Sequence, residues 1–334
     1  MLKKAIHSAA WRAESLLDRI KGQEDTRRVI EPYLGYATPD HLIVRGRVLA
    51  ALRRNQPVPE QSRWTNFKQM MSLFLTDEVG NVEVRAGNYA ARSDEEGYFT
   101  LLLPRGDEVG WHDVPVTITG YSGTTPCPVL IASRSARFGV ISDIDDTMMR
   151  TGAYSLARNL WTSFTGNAAT RQVFPDSVAL IRALSDGGRN PVFYVSSSPW
   201  NLHHFLSRVF ERAGLTRGPK FLRDLGLSRT QFITGTHGDH KGGSIDTLVA
   251  AHPDLPFILL GDTGQHDAYV YHDAIGRHRD QIAAVVLREP GPGPDEGSKT
   301  TMQAIEKTGT ILLHGPTFDG FAEKLLQSDR LQAA

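Results

Sequence analysis

The sequence predicts an α/β protein in which a doubly wound parallel sheet follows a small β-sandwich. Four short and wholly apolar runs point to the parallel strands: FGVIS (138–142), PVFYV (191–195), PFILL (256–260) and IAAVVL (282–287). Strands that are buried on both faces of a parallel sheet have this composition. Helical stretches lie between these runs, and such an alternation indicates right-handed βαβ units.

Two of the intervening stretches have clear helical signals. Residues 177–188 read SVALIRALSDGG and end at Gly187-Gly188, which suits a helix C-cap. Residues 200–214, WNLHHFLSRVFERAG, form the second predicted helix. In open sheets of this kind, ligands bind beyond the carboxyl ends of the strands. Candidate functional residues should therefore follow the apolar runs.

The β-sandwich is predicted for residues 41–134 from runs of period two separated by turn residues. The strands are LIVRGRV (42–48), NVEVRA (81–86), GYFTLLL (97–103) and VPVTITG (114–120). FKQMMSLFL, residues 67–75, fits either a helix or a buried strand. A linker at SRSAR (133–137) leads into the second domain, predicted for 135–334 with a short helical insert at 148–174.

Residues 1–40 are predicted to be a helical segment, because apolar residues from Leu2 to Ile20 recur at helical spacing. This helix either docks on the protein itself or lies on a membrane surface. Lys+Arg and Asp+Glu both number 37, so the charge balance argues against a nucleic-acid partner. With one cysteine, Cys127, and no apolar run of about 20 residues, a cytoplasmic protein with peripheral membrane contact at most is expected. The oligomeric state stays open.

Polar residues follow three of the apolar runs. FGVIS leads into Asp143-Ile144-Asp145-Asp146-Thr147, PVFYV into Ser196, and PFILL into Gly261 and Asp262 with Asp267 close behind. Lys241 begins a predicted helix before the third of these runs. Carboxylates gathered at one edge would repel an anionic phosphoryl group unless a cation lay between them. Mg²⁺ prefers oxygen ligands and needs only one or two protein carboxylates.

The spacing of Asp143 and Asp145 allows both carboxylates to face one reacting centre. One could attack phosphorus to form an aspartyl phosphate. The other could protonate the leaving oxygen and later deprotonate water. The hydroxyl of Thr147 is expected to stabilise the turn by a hydrogen bond to the backbone.

The order DxDxT, Ser, Lys and GDxxxxD resembles the motifs of haloacid-dehalogenase superfamily phosphatases, over residues 138 to about 290. The resemblance implies a Rossmann-like domain and a Mg²⁺ cofactor. It also implies roles at six positions: nucleophile Asp143, acid/base Asp145, phosphate-contacting Ser196, charge-balancing Lys241, metal ligand Asp262 and metal-supporting Asp267. Asp145 would add its backbone carbonyl to the metal.

A narrower resemblance rests on ISDIDDT, FYVSSSPWNL and FILLGDTGQHD. These strings are similar to the catalytic-domain family typified by the fungal actin-patch phosphatidate phosphatase. That family implies hydrolysis of phosphatidate to diacylglycerol and phosphate. A phosphatase of a soluble phosphomonoester and a phosphate-binding module without catalysis are the alternatives.

The predicted insert at 148–174 contains an apolar stripe that includes Trp161 and Phe164, with Arg150 and Arg158 nearby. The stripe either packs on the domain or forms a lip that admits acyl chains, with the arginines for a phosphorylated head group. A stretch this short would leave the site open to a bulky or membrane-bound substrate.

Overall fold

Two sheets organise the chain in the computed structural model, which describes residues 28–50, 79–150, 173–223 and 237–332. A seven-stranded sheet comes first, and a six-stranded sheet with helices follows it. The chain is therefore a mixed α/β protein, as the sequence predicts. None of the helices in the described ranges is long and apolar enough to cross a membrane.

Neighbouring strands of the first sheet are antiparallel, with one exception. The strand that comes first along the chain pairs in parallel with the strand that comes last. Its strands are β1 (Arg28–Ala37), β2 (His41–Ala50), β3 (Glu83–Ala86), β4 (Tyr89–Arg92), β5 (Tyr98–Pro104), β6 (Gly110–Ile118) and β7 (Thr124–Ile131). They lie in the order β4-β3-β6-β7-β1-β2-β5. Strands β4 and β5 also contact each other, so the sheet curls around an apolar core of its own.

Two expectations for this half need revision. The described strands form one curled sheet, so the two-sheet sandwich is not confirmed. Residues 28–37 are a strand between β7 and β2 in the sheet, so a helical segment cannot extend to residue 40. Pro32 and Gly35 break the alternation that would have indicated this strand, and the pairing shifts register between Tyr33 and Tyr36. Residues 1–27 and the FKQMMSLFL stretch lie outside the described residues.

Every pairing in the second sheet is parallel. Its strands are β8 (Gly139–Asp143), β9 (Val192–Pro199), β10 (Lys220–Arg223), β11 (Phe257–Asp262), β12 (Ile282–Arg288) and β13 (Ile311–Gly315). They lie in the order β10-β9-β8-β11-β12-β13. The four apolar runs are the buried central strands, which confirms the predicted parallel sheet.

The helices of this half alternate with the strands. They are α1 (Pro175–Ser185), α2 (His203–Ala213), α3 (His237–Ala251), α4 (Asp267–Arg277), α5 (Glu296–Lys307), α6 (Phe321–Leu326) and α7 (Asp329–Gln332). Asp186 is the C-cap of α1, and its left-handed backbone takes the role expected of the next two glycines. Gly214 is the C-cap of α2 and has a backbone φ of 69°. Without a Cβ, glycine takes that conformation at little cost.

Candidate active site

The strand order brings the candidate residues together at one edge of the second sheet. Asp143 is the last residue of β8 and Asp262 is the last residue of β11, and these two strands pair directly. On the other side of β8, Ser196 lies one residue beyond the pair formed by Asp143 and Val195. Because the strands are parallel, their carboxyl ends meet at the place predicted from the sequence.

Three buried aspartates form an acidic cluster there. Asp143, Asp262 and Asp267 each offer a carboxylate oxygen, and these oxygens lie within 4.8 Å of one another. Backbone amides of Gly264 and Gln265 donate to Oδ1 of Asp262 at 2.6 and 2.9 Å. Oδ2 of Asp143 and Oδ2 of Asp262 are buried without a hydrogen-bond partner among the described residues. Buried carboxylate oxygens that lack protein partners fit a hard divalent cation.

Lys241 offsets part of this negative charge. Its Nζ lies 2.7 Å from Oδ1 of Asp143 and 2.5 Å from Oδ1 of Asp267. Burial opposes the ammonium charge, but the carboxylates of Asp143 and Asp267 outweigh that effect and raise the lysine pKa. The second oxygen of Asp267 accepts the backbone N–H of Asp262 at 3.1 Å. Asp267 therefore links the lysine to the end of β11.

The acidic cluster is held together at an electrostatic cost. Burial raises the pKa of Asp143, although Lys241 opposes this effect. Burial also raises the pKa of Asp262 to about 8, and the charge of Asp267 adds to that rise. Like charges at short distance in a dry site disfavour ionisation of every member. A bound cation would remove this penalty and hold the carboxylates in their charged forms.

Asp145 faces a different set of partners from the other aspartates. The hydroxyls of Ser196 and Ser198 both donate to its Oδ2, at 2.6 and 3.0 Å. Burial raises the pKa of Asp145, while the bonds from the two serines work against that rise. A raised pKa makes a carboxyl group hold its proton more readily, which suits a general acid. The side chain of Asp145 is not part of the three-aspartate cluster.

The turn that carries Asp145 has several anchors. Asp146 has a backbone φ of 56°, which aspartate tolerates better than most residues, and its N–H bonds the carbonyl of Met149. The side-chain amide of Gln265 donates to the backbone carbonyl of Asp145 at 3.0 Å. Arg288, at the end of β12, donates to the backbone carbonyl of Thr147 at 3.2 Å. The turn is thus tied to two neighbouring strand ends.

The expectation for Thr147 is wrong in detail. Its buried hydroxyl has no hydrogen-bond partner among the described residues. Its carbonyl makes the contacts instead, because it accepts from Arg288 and from the hydroxyl of Ser177. Sequence reasoning did not assign Ser198, Gln265 or Arg288 to the site. For the first two, their place inside SSSP and GDTGQHD was an available signal.

The predicted lip is only partly covered by the structure. Residues 151–172, with Arg158, Trp161 and Phe164, lie outside the described residues. Arg150 is exposed, with its guanidinium 6.0 Å from the ring centre of Phe174. The two methionines at the start of the stretch, Met148 and Met149, are buried in the apolar core on the second sheet. They therefore belong to that core and not to a substrate-facing surface.

Comparison with known proteins finds similarity in the same part of the chain that carries the candidate active site. Residues 138–289 match the family model described as "Phosphatidate phosphatase APP1, catalytic domain". Over 150 residues the chain is 29% identical to Phosphatidate phosphatase APP1 of Saccharomyces cerevisiae, a stretch that is 45% of this chain and 25% of the yeast protein. Over 244 residues it is 26% identical to an uncharacterized protein of Schizosaccharomyces pombe, which is 66% of this chain and 37% of that one.

A solved structure, the unliganded form of a probable phosphoserine phosphatase from Vibrio cholerae, is similar over 83% of this chain and 90% of its own. The sequence identity is 11% and the TM-score is 0.33. The chain covers well under half the length of the two curated relatives. Within it, the match to the catalytic-domain family of phosphatidate phosphatase APP1 covers residues 138–289.

Proposed function

We propose that this protein is a Mg²⁺-dependent phosphatase that works through an aspartyl phosphate on Asp143. The observation that carries the proposal is the environment of that carboxylate. One oxygen of Asp143 lies against Lys241, and the other is buried without a hydrogen-bond partner among the described residues. An oxygen that is not engaged by the protein is free to attack phosphorus or to bind a cation.

Asp143 and Asp262 would hold the ion, together with the backbone carbonyl of Asp145, and Asp267 would act through Lys241. When bound, Mg²⁺ supplies the positive charge that a phosphoryl group requires. Lys241 adds a second positive charge beside the nucleophile and favours the ionised form of Asp143. Ser196 and Ser198 both donate to Asp145, and we propose that one of these hydroxyls turns to a phosphate oxygen when substrate binds.

The reaction divides into two displacements at phosphorus. In the first, a carboxylate oxygen of Asp143 bonds to phosphorus while the bond to the leaving oxygen breaks, and Asp145 gives its proton to that oxygen. In the second, Asp145 as carboxylate takes a proton from water. The water oxygen bonds to phosphorus as the aspartyl bond breaks, which releases phosphate and restores Asp143.

Phosphatidate or a related lipid phosphate is the substrate that we propose. The match to the APP1 catalytic domain supports it, as does the apolar and basic composition of residues 150–172. Such a substrate would require peripheral contact with a membrane. A soluble phosphomonoester remains the second candidate, because the same carboxylates and lysine serve any phosphate ester. A module that only binds phosphate is disfavoured, since the chain offers a candidate for each group that the chemistry needs.

A substrate panel tests this proposal. Purified protein is given phosphatidate dispersed in detergent, p-nitrophenyl phosphate and a set of sugar and nucleotide monophosphates, each with Mg²⁺ and with EDTA. The lipid proposal expects the highest kcat/KM with phosphatidate and loss of all activity in EDTA. Higher kcat/KM for a soluble ester moves the assignment to the second candidate. Absence of phosphate release from every substrate contradicts enzymatic function.

A pair of substitutions tests the predicted lip separately. Changing Trp161 and Phe164 to Gln should lower kcat/KM for dispersed phosphatidate and leave p-nitrophenyl phosphate hydrolysis unchanged. If the two side chains are core residues instead, both activities and the melting temperature should fall together, because buried amides would lack partners. Arg150→Ala and Arg158→Ala add a charge test: head-group contacts would make wild-type lipid activity more sensitive to salt than that of the variants.

A further inference from the structure

The strand that carries the site serines continues directly into the interface with the first sheet. Strand β9 ends at Pro199, and the next three residues, Trp200–Leu202, form one turn of 3₁₀-helix. The ring of Trp200 stacks on that of Tyr33 from β1, with centroids 4.5 Å apart and planes 17° from parallel. The indole of Trp200 is thus packed against the other domain only two residues after Ser198.

Arg47 from β2 holds the neighbouring residue. It is 3% exposed, and its Nη1 donates to Oδ1 of Asn201 at 3.2 Å. The same guanidinium donates through Nε to the carbonyl of Glu96 at 2.8 Å and lies 4.3 Å from the ring centre of Tyr98. Its planar group is therefore fixed within the first sheet before it reaches Asn201. A contact of this kind is rigid, because few rotamers remain available to the arginine.

A second arginine secures the adjacent strand. Arg45 donates to the carbonyl of Leu34 within the first sheet at 2.7 Å and to the carbonyl of Lys220 at 3.2 Å. Its guanidinium also lies 4.6 Å from the ring centre of Phe221. Lys220 and Phe221 belong to β10, the strand that pairs with β9. The first sheet therefore contacts both the segment that follows the serines and the strand beside it.

We infer that the first sheet positions the serine segment of the active site, and that Arg47 and Tyr33 are its positioning residues. This inference rests on the proposed function, since Ser196 and Ser198 are assigned through it. The chain of contacts is short: Arg47 and Tyr33 fix Asn201 and Trp200, these fix the end of β9, and its serines donate to Oδ2 of Asp145. The first sheet would then contribute to catalysis by holding Ser196 and Ser198 in position.

The expected size of the effect follows from the tolerance of phosphoryl transfer to misplacement. A displacement of about 1 Å in a group near the reacting atoms can cost about 10²-fold in rate. Loosening the turn at Trp200 should shift the serines by less than about 1 Å. The expected fall in kcat is therefore smaller than about 10²-fold, at about tenfold or more. Because neither Arg47 nor Tyr33 reaches the substrate, KM should change by less than about threefold.

A double-mutant cycle tests the contact itself. Arg47→Met, Asn201→Ala and the pair are compared with wild type for kcat and KM on p-nitrophenyl phosphate, with melting temperatures for each. Each single change should lower kcat to the level of the double variant, because either one breaks the same bond. Asn201→Asp should keep wild-type kcat, since its carboxylate also accepts from the guanidinium. Asn201 is half-buried, so its variants should fold, and their kcat can be measured even if Arg47→Met folds poorly.

A matched control separates positioning from general stability. Val84→Ala removes methyl groups from the interior of the first sheet, where Val84 is fully buried among residues of that sheet alone. It should lower the melting temperature and leave kcat unchanged at temperatures where the protein is folded. Wild-type kcat in both Arg47→Met and Asn201→Ala would overturn the inference. An inactive wild-type protein would instead count against the proposed function, so the two failures are distinguishable.

Discussion

Nζ of Lys241 lies 2.7 Å from Oδ1 of Asp143, and both side chains are almost completely buried. The ammonium is shared with Asp267, so one lysine serves two carboxylates of the acidic cluster. A buried ion pair is weak evidence for stability, because desolvation offsets much of the attraction. Removing one partner is costly all the same, since the remaining charges are left without compensation.

Lys241→Met should therefore destabilise the metal-free protein by about 3–5 kcal/mol and abolish activity. Adding Asp267→Asn to this variant removes one uncompensated charge and should recover part of the stability without recovering activity. Urea unfolding in EDTA measures both effects. A change below about 0.5 kcal/mol in the single variant would show that the cluster is already largely protonated.

The pH dependence of stability should reveal the acidic cluster. Burial and the charge of Asp267 raise the pKa of Asp262 from 3.8 to about 8. Between these values the folded metal-free protein keeps a proton that the unfolded chain releases. The free energy of unfolding should then fall as the pH rises from about 4 to about 8.

Melting temperatures across that pH range, in EDTA and in excess Mg²⁺, provide the measurement. The ion binds the charged carboxylates, so it should stabilise the protein most at the high end of the range. Asp262→Asn should flatten the pH dependence in EDTA and remove the stabilisation by Mg²⁺. Equal stabilisation of this variant and wild type would place the ion elsewhere.

Asp145→Asn should reduce kcat by about 10²–10⁴-fold, the usual contribution of general acid–base catalysis. The amide can still accept hydrogen bonds from Ser196 and Ser198, but it cannot donate a proton to the leaving oxygen. The deficit in the rate of aspartyl-phosphate formation should therefore be smaller for p-nitrophenyl phosphate, which has a good leaving group, than for an alkyl phosphate. The same deficit with both esters would exclude Asp145 as the acid.

Arg288→Ala should be among the most destabilising substitutions outside the acidic cluster. Nη2 of Arg288 contacts Asp176 and Ser177 at 2.6 and 2.7 Å, and its guanidinium lies over the rings of Phe174 and Phe318. Its loss leaves the largely buried Asp176 without a counter-ion, although the backbone N–H of Phe318 still donates to Oδ2, and this should cost about 3–5 kcal/mol. Because Arg288 also anchors the carbonyl of Thr147, kcat should fall as well.

Arg277→Ala is the control for this substitution. Arg277 makes a comparable ion pair with Asp246, but both side chains are substantially exposed. Its loss should cost less than about 1 kcal/mol, because solvent screens the pair. Urea unfolding compares the two variants. Similar costs for both would mean that the surroundings of Arg288 do not strengthen its contacts.

The central sheet of the second domain was predictable because its strands are continuous apolar runs. Asp143 and Asp262 were predictable for a related reason, since each ends such a run and parallel strands align their carboxyl ends. The strand Arg28–Ala37 was not, because Pro32 and Gly35 interrupt its pattern. Strand Lys220–Arg223 has only four residues, which are too few to show a periodic pattern of apolar and polar side chains.

Residues whose roles depend on long-range contacts could not be found from local patterns. Arg288 reaches the carbonyl of Thr147 across 141 positions of the chain, and Arg47 reaches Asn201 across 154. Nothing in the neighbouring sequence of either arginine indicates its partner. The packing of the first sheet against the serine segment likewise could not be predicted from local sequence patterns, because it depends on contacts between distant parts of the chain.

The most direct test of the proposed mechanism is to trap the phosphorylated enzyme. The protein is mixed with ³²P-labelled substrate and Mg²⁺, quenched in acid within one turnover and digested to peptides. The account predicts label that hydroxylamine releases, as for an acyl phosphate, on the peptide containing Asp143, and none in Asp143→Asn. Label on another residue, or turnover by Asp143→Asn within about tenfold of wild type, would contradict it.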